Sequence, residues 1–479
     1  MTRMAHASAD THISTPVTPL RTWPVLLAAC AGQFLVVLDV SVVNVALPSM
    51  RTGLGMSASG LQWVVNAYAI AFAGFMLLGG RAGDLYGRKR MFLVGLGLFT
   101  SASLGGGLAQ EGWQLLAARA AQGLGAAVLA PATLTILTAA VPEGAARTRA
   151  IGTWAAVGAG GGAAGGLVGG VLTDTLSWRW VLLINVPIGA LVLVGATLWI
   201  TESRAGRRHR LDLPGAVLVT AGLATLSYGI VQTEASGWGA AGTLVPLLGG
   251  AALLLAFLVV EGRTAAPLMP LRLFRLRAVS AANAVMFVCG SAMFCTWFFM
   301  TLYAQNVLGY TPLGAGLALI PSSLSVVLGS KLAPRLMPKT GARNLTVLGV
   351  LVTAAGFGWQ STMRADDPYW ISILVPGILM MTGAGLATTP LAALATSGAE
   401  PGEAGLVSGL INTSRTMGGA LGLAVLSTVA ASRTGVVQSA ESLTAGYALA
   451  FRVGGFVLLG SVLIALVWLP STPRTAHRA

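Results

Sequence analysis

Fourteen apolar runs, each of about 18 or more residues, recur from end to end of this 479-residue chain, and they narrow its folding choices more than anything else in it. A helix of that length spans the roughly 30 Å hydrocarbon core of a bilayer. Inside that core each backbone N–H and C=O must be satisfied by protein, so an isolated spanning run is a helix. The runs lie at about 23–47, 60–80, 91–110, 113–139, 150–172, 180–201, 212–232, 243–261, 278–302, 312–334, 343–362, 369–392, 405–430 and 451–470. Only 9% of residues are charged, against the roughly 25% usual for soluble chains, and the mean hydropathy is +0.78. The fold class is therefore an all-α polytopic membrane protein of 14 transmembrane helices.

An even count puts both termini on one side, and the cations choose the side. With the N-terminus cytoplasmic, twenty-two of the 29 Lys and Arg fall in inside segments and five fall outside, with Arg119 and Arg415 left within runs. Cytoplasmic loops are enriched in these residues, and an error in one run would invert every later loop and destroy the asymmetry. The net charge of +14 is thus a topology signal spread over short loops, and nucleic acid is not an expected partner. The longest polar interruptions divide the runs into six, two and six. That division gives a cytoplasmic tail at 1–22, a six-helix bundle at 23–201, two accessory helices with flanking linkers at 202–277, a second six-helix bundle at 278–470 and a tail at 471–479. Two pseudo-symmetric bundles suit a transporter with its substrate site at the midplane. The first run is too long for a removable leader and is expected to remain as a helix.

No catalytic constellation is legible, and an enzyme is not expected. All four histidines (His6, His12, His209, His477) lie in polar segments, and Cys30, Cys289 and Cys295 fall singly inside apolar runs, so neither a metal nor a cofactor is expected. There is no Gly-x-x-x-x-Gly-Lys-Ser/Thr phosphate loop and no soluble domain to carry one, which leaves an ion gradient as the energy source.

The candidate site residues are the polar exceptions within the runs. Asp39 lies deep in the first, where an ionised carboxyl is expensive unless paired, neutralised or hydrated. It reads as a proton-coupling or cation-recognition group, or else as a structural carboxyl tied to neighbouring helices. Asn44, five residues on, is a hydrogen-bonding partner or packing glue. Arg119 in the fourth run is the matching cation, placed either to modulate Asp39 or to cap a network at the membrane edge; Arg415 poses the same question in the second half. In the fifth run Gly161, Gly165 and Gly169 form one small-residue row, and Gly158, Gly162, Gly166 and Gly170 a second. Such rows permit close helix contact, as packing alone or also as a hinge or seal between bundles. Gly152 precedes them. Between the second and third runs lies Gly80-Arg81-Ala82-Gly83-Asp84-Leu85-Tyr86-Gly87-Arg88-Lys89-Arg90, read as a loop with an acid and three consecutive cations.

With these motifs the chain resembles the fourteen-span drug:proton antiporters of the major facilitator superfamily along essentially its whole length. Gly80, Asp84, Gly87 and Arg88 match the signature between spans two and three, with Ala82 where leucine is usual. Arg119, Gln122, Gly123 and Gly125 match the fourth-span proton-transfer motif, and Asp39 through Pro48 the first-span motif. Gly152, Gly161, Gly165, Gly169 and Gly170 match the antiporter signature in span five, with Gly166 standing where that signature has proline. Trp178-Arg179-Trp180, Asn185-Val186-Pro187 and Tyr303-x-Gln305 are further hallmarks. The resemblance implies two bundles rocking around a central cavity, in a monomer of the inner (plasma) membrane with both termini cytoplasmic. It implies protons exchanged for a small amphipathic drug or antibiotic, a proton-coupling role for Asp39 with Arg119, and a gating latch at Gly80–Arg88. A proton-coupled metabolite importer on the same scaffold is the alternative; a non-transporting sensor would leave buried Asp39 and Arg119 without use.

Overall fold

A computed structural model describes residues 22–142, 144–202, 211–265, 267–397, 403–435 and 439–470; expectations for the tails and for 203–210 lie outside these. Among the described residues, regular structure is entirely helical. Fourteen long helices each coincide with one predicted run, to within a few residues at most ends. They are α1 (Thr22–Leu54), α2 (Ala58–Tyr86), α3 (Arg88–Gly107), α4 (Gly112–Ala140), α5 (Ala145–Thr175), α6 (Trp180–Trp199) and α7 (Leu213–Ser236). The rest are α8 (Ala241–Arg263), α9 (Arg277–Asn306), α10 (Pro312–Thr340), α11 (Ala342–Gln360), α12 (Trp370–Ser397), α13 (Ala404–Thr434) and α14 (Ala440–Trp468). Eleven are long and apolar enough on their own to cross a membrane. The other three are α3, α11 and α13.

Several boundaries differ from the sequence reading. The stretch Gly80–Arg90 is mostly helix: α2 continues through Tyr86, and Gly87 alone, at φ +109°, separates it from α3. Charged residues stopped the apolar run at residue 80, but a helix end in the headgroup region can carry them. α14 starts at Ala440 rather than at 451, because its first turns are polar and closed by a reciprocal Ser439–Ser442 capping box. Arg452 is consequently inside a helix and exposed. α6 breaks at Ile184, between Trp180–Leu183 and Asn185–Trp199, where Pro187 has no N–H to offer the Leu183 carbonyl.

The two halves repeat one packing scheme. α1 packs along α5, and α4 along both α2 and α3; correspondingly α9 packs along α13, and α12 along both α10 and α11. The repeat extends to atoms. A Cβ on Gly79 or Gly123 would stand 2.3 or 2.4 Å from a carbonyl oxygen across the α2–α4 contact, and one on Gly329 or Gly385 would stand 2.3 Å from one across α10–α12. Close backbone approach of this kind drives association where lipid removes the hydrophobic advantage. The bundles meet through α5–α10 and α2–α13, and α7, paired with α8, lies against α2 and α13. The fold is thus two six-helix bundles plus two inserted helices.

Candidate functional site

Asp39 sits midway along α1 with no exposure, and α4 and α6 deliver its partners. Arg119 Nη1 donates to its Oδ2 at 2.6 Å, while Gln122 Nε2 and Asn185 Nδ2 each donate to its Oδ1 at 3.0 Å. Gln122 also donates to Ser103 Oγ at 2.6 Å and accepts from Arg119 Nη1 at 2.9 Å. Arg119, 2% exposed, completes its shell by donating from Nε to the Val64 carbonyl at 3.1 Å and by lying 4.4 Å from the centre of the Tyr68 ring. The spacing explains the set. Arg119 and Gln122 are three apart on one face of α4, and the break in α6 sets Asn185 facing inward.

A carboxylate paired with a guanidinium and holding two further donors is the arrangement a buried charge needs.

Asn44 is not among the partners of Asp39. Its Nδ2 donates to the Val40 carbonyl one turn back in α1, at 2.8 Å, since five residues turn it off the Asp39 face. Gln122 and Asn185 stood in the sequence only as motif matches and not as site candidates, although each is a polar side chain inside an apolar run. Arg415 lies in α13 with its backbone against Gly290 of α9, and no ion pair holds it among the described residues.

The glycines of α5 serve two partners. Gly161, Gly165 and Gly169 face α1, where a Cβ on Gly165 would stand 2.3 Å from Ser41 Cβ; Ser41 Oγ donates to the Gly162 carbonyl at 2.8 Å. Gly166 and Gly170 face α10 of the other bundle: a Cβ on Gly170 would stand 2.6 Å from Leu313 Cα, and one on Gly316 would stand 2.1 Å from the Gly166 carbonyl oxygen. Gly158 and Gly162, nominally in the same row as these two, face Gln33 and Val37 of α1, and Gly152 meets nothing within 4 Å. Beside this contact the Leu313 N–H donates to Asp174 Oδ2 at 3.0 Å, and Gln305 Nε2 donates to the Val45 carbonyl at 2.7 Å. The bundles are therefore tied together at the face opposite Thr22 and Pro470.

A test follows from the unequal spaces. Gly316→Ala drives a methyl into the Gly166 carbonyl and is expected to prise that face open, whereas Gly166→Ala, whose Cβ has 3.2 Å to the Gly316 carbonyl, is expected to be mild. Thiol labelling of a cysteine introduced at Leu313 reads the difference; equal labelling in both variants would refute it.

The latch candidates lie at the face of Thr22 and Pro470. Arg88 pairs with Asp84 across the helix break at 3.6 Å, and Asp84 is half exposed. Gly80 lies against Pro131 with room for a Cβ at 3.7 Å. Glu202, just past α6, caps α3: its two carboxylate oxygens accept from Lys89 N and Arg90 N, each at 3.1 Å, where a helix N-terminus favours an anion. At Gly87 a Cβ would strike that carboxylate at 2.4 Å, so the glycine answers both to φ and to space. Arg179 similarly ties α6 to the end of α3 through the Gly107 and Ala109 carbonyls.

Residues 29–423 match the family model described as Major Facilitator Superfamily. The chain is 49% identical over 454 residues to the cephamycin export protein CmcT of Amycolatopsis lactamdurans, covering 94% of this chain and 93% of that protein. It is 39% identical over 470 residues to the puromycin resistance protein pur8 of Streptomyces alboniger, at 95% and 93% coverage, and 32% identical over 456 residues to a lincomycin resistance protein of Streptomyces lincolnensis, at 95% and 93%. Among solved structures it superposes on an auto-inhibited POT family peptide transporter with a TM-score of 0.70 at 16% identity, over 96% of this chain and 99% of that one. With the xylose transporter XylE of E. coli, inward open, the TM-score is 0.63 at 14% identity, over 95% and 98%; at such identities the likeness is one of fold. With its two repeated bundles and its match across both, this multi-pass membrane protein belongs to the Major Facilitator Superfamily.

Proposed function

We propose that the chain is a drug:proton antiporter of the cell membrane, exporting a small amphipathic antibiotic from the cytoplasm, with both termini cytoplasmic. The observation that carries this reading is the buried Asp39–Arg119–Gln122–Asn185 cluster, a carboxyl paired with a guanidinium midway through a bundle. The names of the relatives, which export or resist cephamycin, puromycin and lincomycin, supply the class of cargo. In this reading the segments 23–201 and 278–470 rock against each other. The face sealed by Gly166–Gly316 and Gln305–Val45 is the outer one, and Asp84, Gly87 and Arg88 gate the inner one. Protonation of Asp39 frees Arg119, loosens α4 and α6 from α1, and so biases the two states differently, which is what coupling requires.

The test is transport in inside-out vesicles from a drug-sensitive host, with a cephamycin, puromycin and lincomycin as probes. Accumulation of at least one should need an acid interior and cease when the gradient is collapsed. Export of every probe indifferent to an imposed gradient would sink the antiporter reading. Uptake into right-side-out vesicles driven by an acid exterior would favour the importer instead.

A further inference from the structure

The inserted helices carry a second buried ionisable cluster, remote from Asp39 and unused by the mechanism above. Asp212, at the N-cap of α7, is 4% exposed, and Glu261, in the last turn of α8, is 2% exposed. Each carboxyl commits one oxygen to the backbone: Asp212 Oδ1 accepts from Gly215 N at 2.9 Å, and Glu261 Oε2 from Met269 N at 2.9 Å. Each leaves the other oxygen, Asp212 Oδ2 and Glu261 Oε1, buried with no donor. These two bare oxygens converge, standing 2.7 and 2.8 Å from the point where a Cβ on Gly215 would lie. Leu78, Ala216 and Leu268, the last two next in sequence to the backbone donors Gly215 and Met269, form a buried apolar cluster.

Two acceptors facing one another in an apolar surround are repulsive as a pair of anions and become a hydrogen bond when one is protonated. Arg81 of α2 is within electrostatic reach of both carboxyls, and one proton between them leaves a single negative charge on the pair, which an apolar surround tolerates better than two. Among the described residues, the other charged groups on the adjoining elements are otherwise engaged or remote: Asp84 pairs with Arg88, Arg272 with Glu403 at the start of α13, and Arg263 and Arg275 are exposed. On α13, Arg415 and Arg433 lie farther along the helix. Two oxygens fall well short of the ligand count of a hard cation.

We propose that Asp212 and Glu261 form a proton-binding site on the accessory helix pair, one proton being held between Asp212 Oδ2 and Glu261 Oε1 and exchanged with water at the face of the Asp84–Arg88 turn. Because Arg81 belongs to the helix that ends in the Asp84–Arg88 turn, release of this proton adds a negative charge that draws α7 and α8 onto α2. The accessory pair thereby senses protons where the signature turn lies.

Infrared difference spectroscopy of the full chain in lipid, titrated from about pH 5 to about pH 8, tests this directly. The wild type should keep one protonated-carboxyl C=O band after exposed carboxyls have ionised. Asp212→Asn and Glu261→Gln should each lose it, since the amide supplies the donor that the proton supplied and the fold is retained. Asp39→Asn should keep it, and Arg81→Gln should move its disappearance upward by about 1 pH unit. No such band in the wild type, its survival in both amide variants, or its loss in Asp39→Asn would overturn the proposal; the wild-type arm decides even where a variant fails to fold.

Discussion

Asp39→Asn is expected to abolish proton-driven efflux, down to the level of empty vesicles, while the protein stays folded in the membrane. Asparagine presents one acceptor and one donor where the carboxylate presented two acceptors. Its oxygen can keep the Arg119 contact, and its amide needs an acceptor in return. Asn185 Oδ1 is buried without a partner, so turning that amide over supplies the acceptor without moving a helix. What the variant cannot do is take up and release a proton. Size-exclusion profile and thermal stability check the fold, and gradient-driven drug accumulation checks the coupling. Undiminished gradient-driven transport by Asp39→Asn would remove this residue from the mechanism.

Removing the other partner is expected to be costlier for the fold. Arg119→Ala leaves Asp39 without its cation, in a place 0% exposed, and breaking a buried pair from one side costs about 3–5 kcal/mol. It also strips the Val64 carbonyl of its side-chain donor and empties the space over Tyr68. The expected result is a steep fall in folded protein. The double variant Asp39→Asn/Arg119→Ala, which no longer buries an unpaired charge, should recover more than half of that loss in thermal unfolding. This non-additivity is the signature of direct coupling. A double variant no more stable than Arg119→Ala would mean that the arginine stabilises chiefly through Val64 and Tyr68, with the ion pair secondary.

Fourteen helices, their order and their division into six, two and six were legible because a bilayer punishes the alternatives: an apolar run of sufficient length has no other stable form there. Asp39 and Arg119 were legible for the same reason, since a charge in hydrocarbon stands out against its neighbours. The helix ends were not. Arg81, Arg88 and the polar first turn of α14 look like loop in a hydropathy profile, yet α2 runs on to Tyr86 and α14 begins at Ala440, because capping and snorkelling act outside the core.

Composition and spacing alone therefore determined the solvent this chain folds in, its helices and the few charges that must find partners. Which partners they find was decided by packing. Gln122 and Asn185 reach Asp39 while the nearer Asn44 turns back on its own helix, and one row of glycines divides between α1 and the opposite bundle as α5 crosses both. Asp212 and Glu261, 49 residues apart in sequence, meet over Gly215 only because α7 and α8 pair. A sequence records which side chains are expensive to leave alone; the angle and register at which helices cross settle what relieves them.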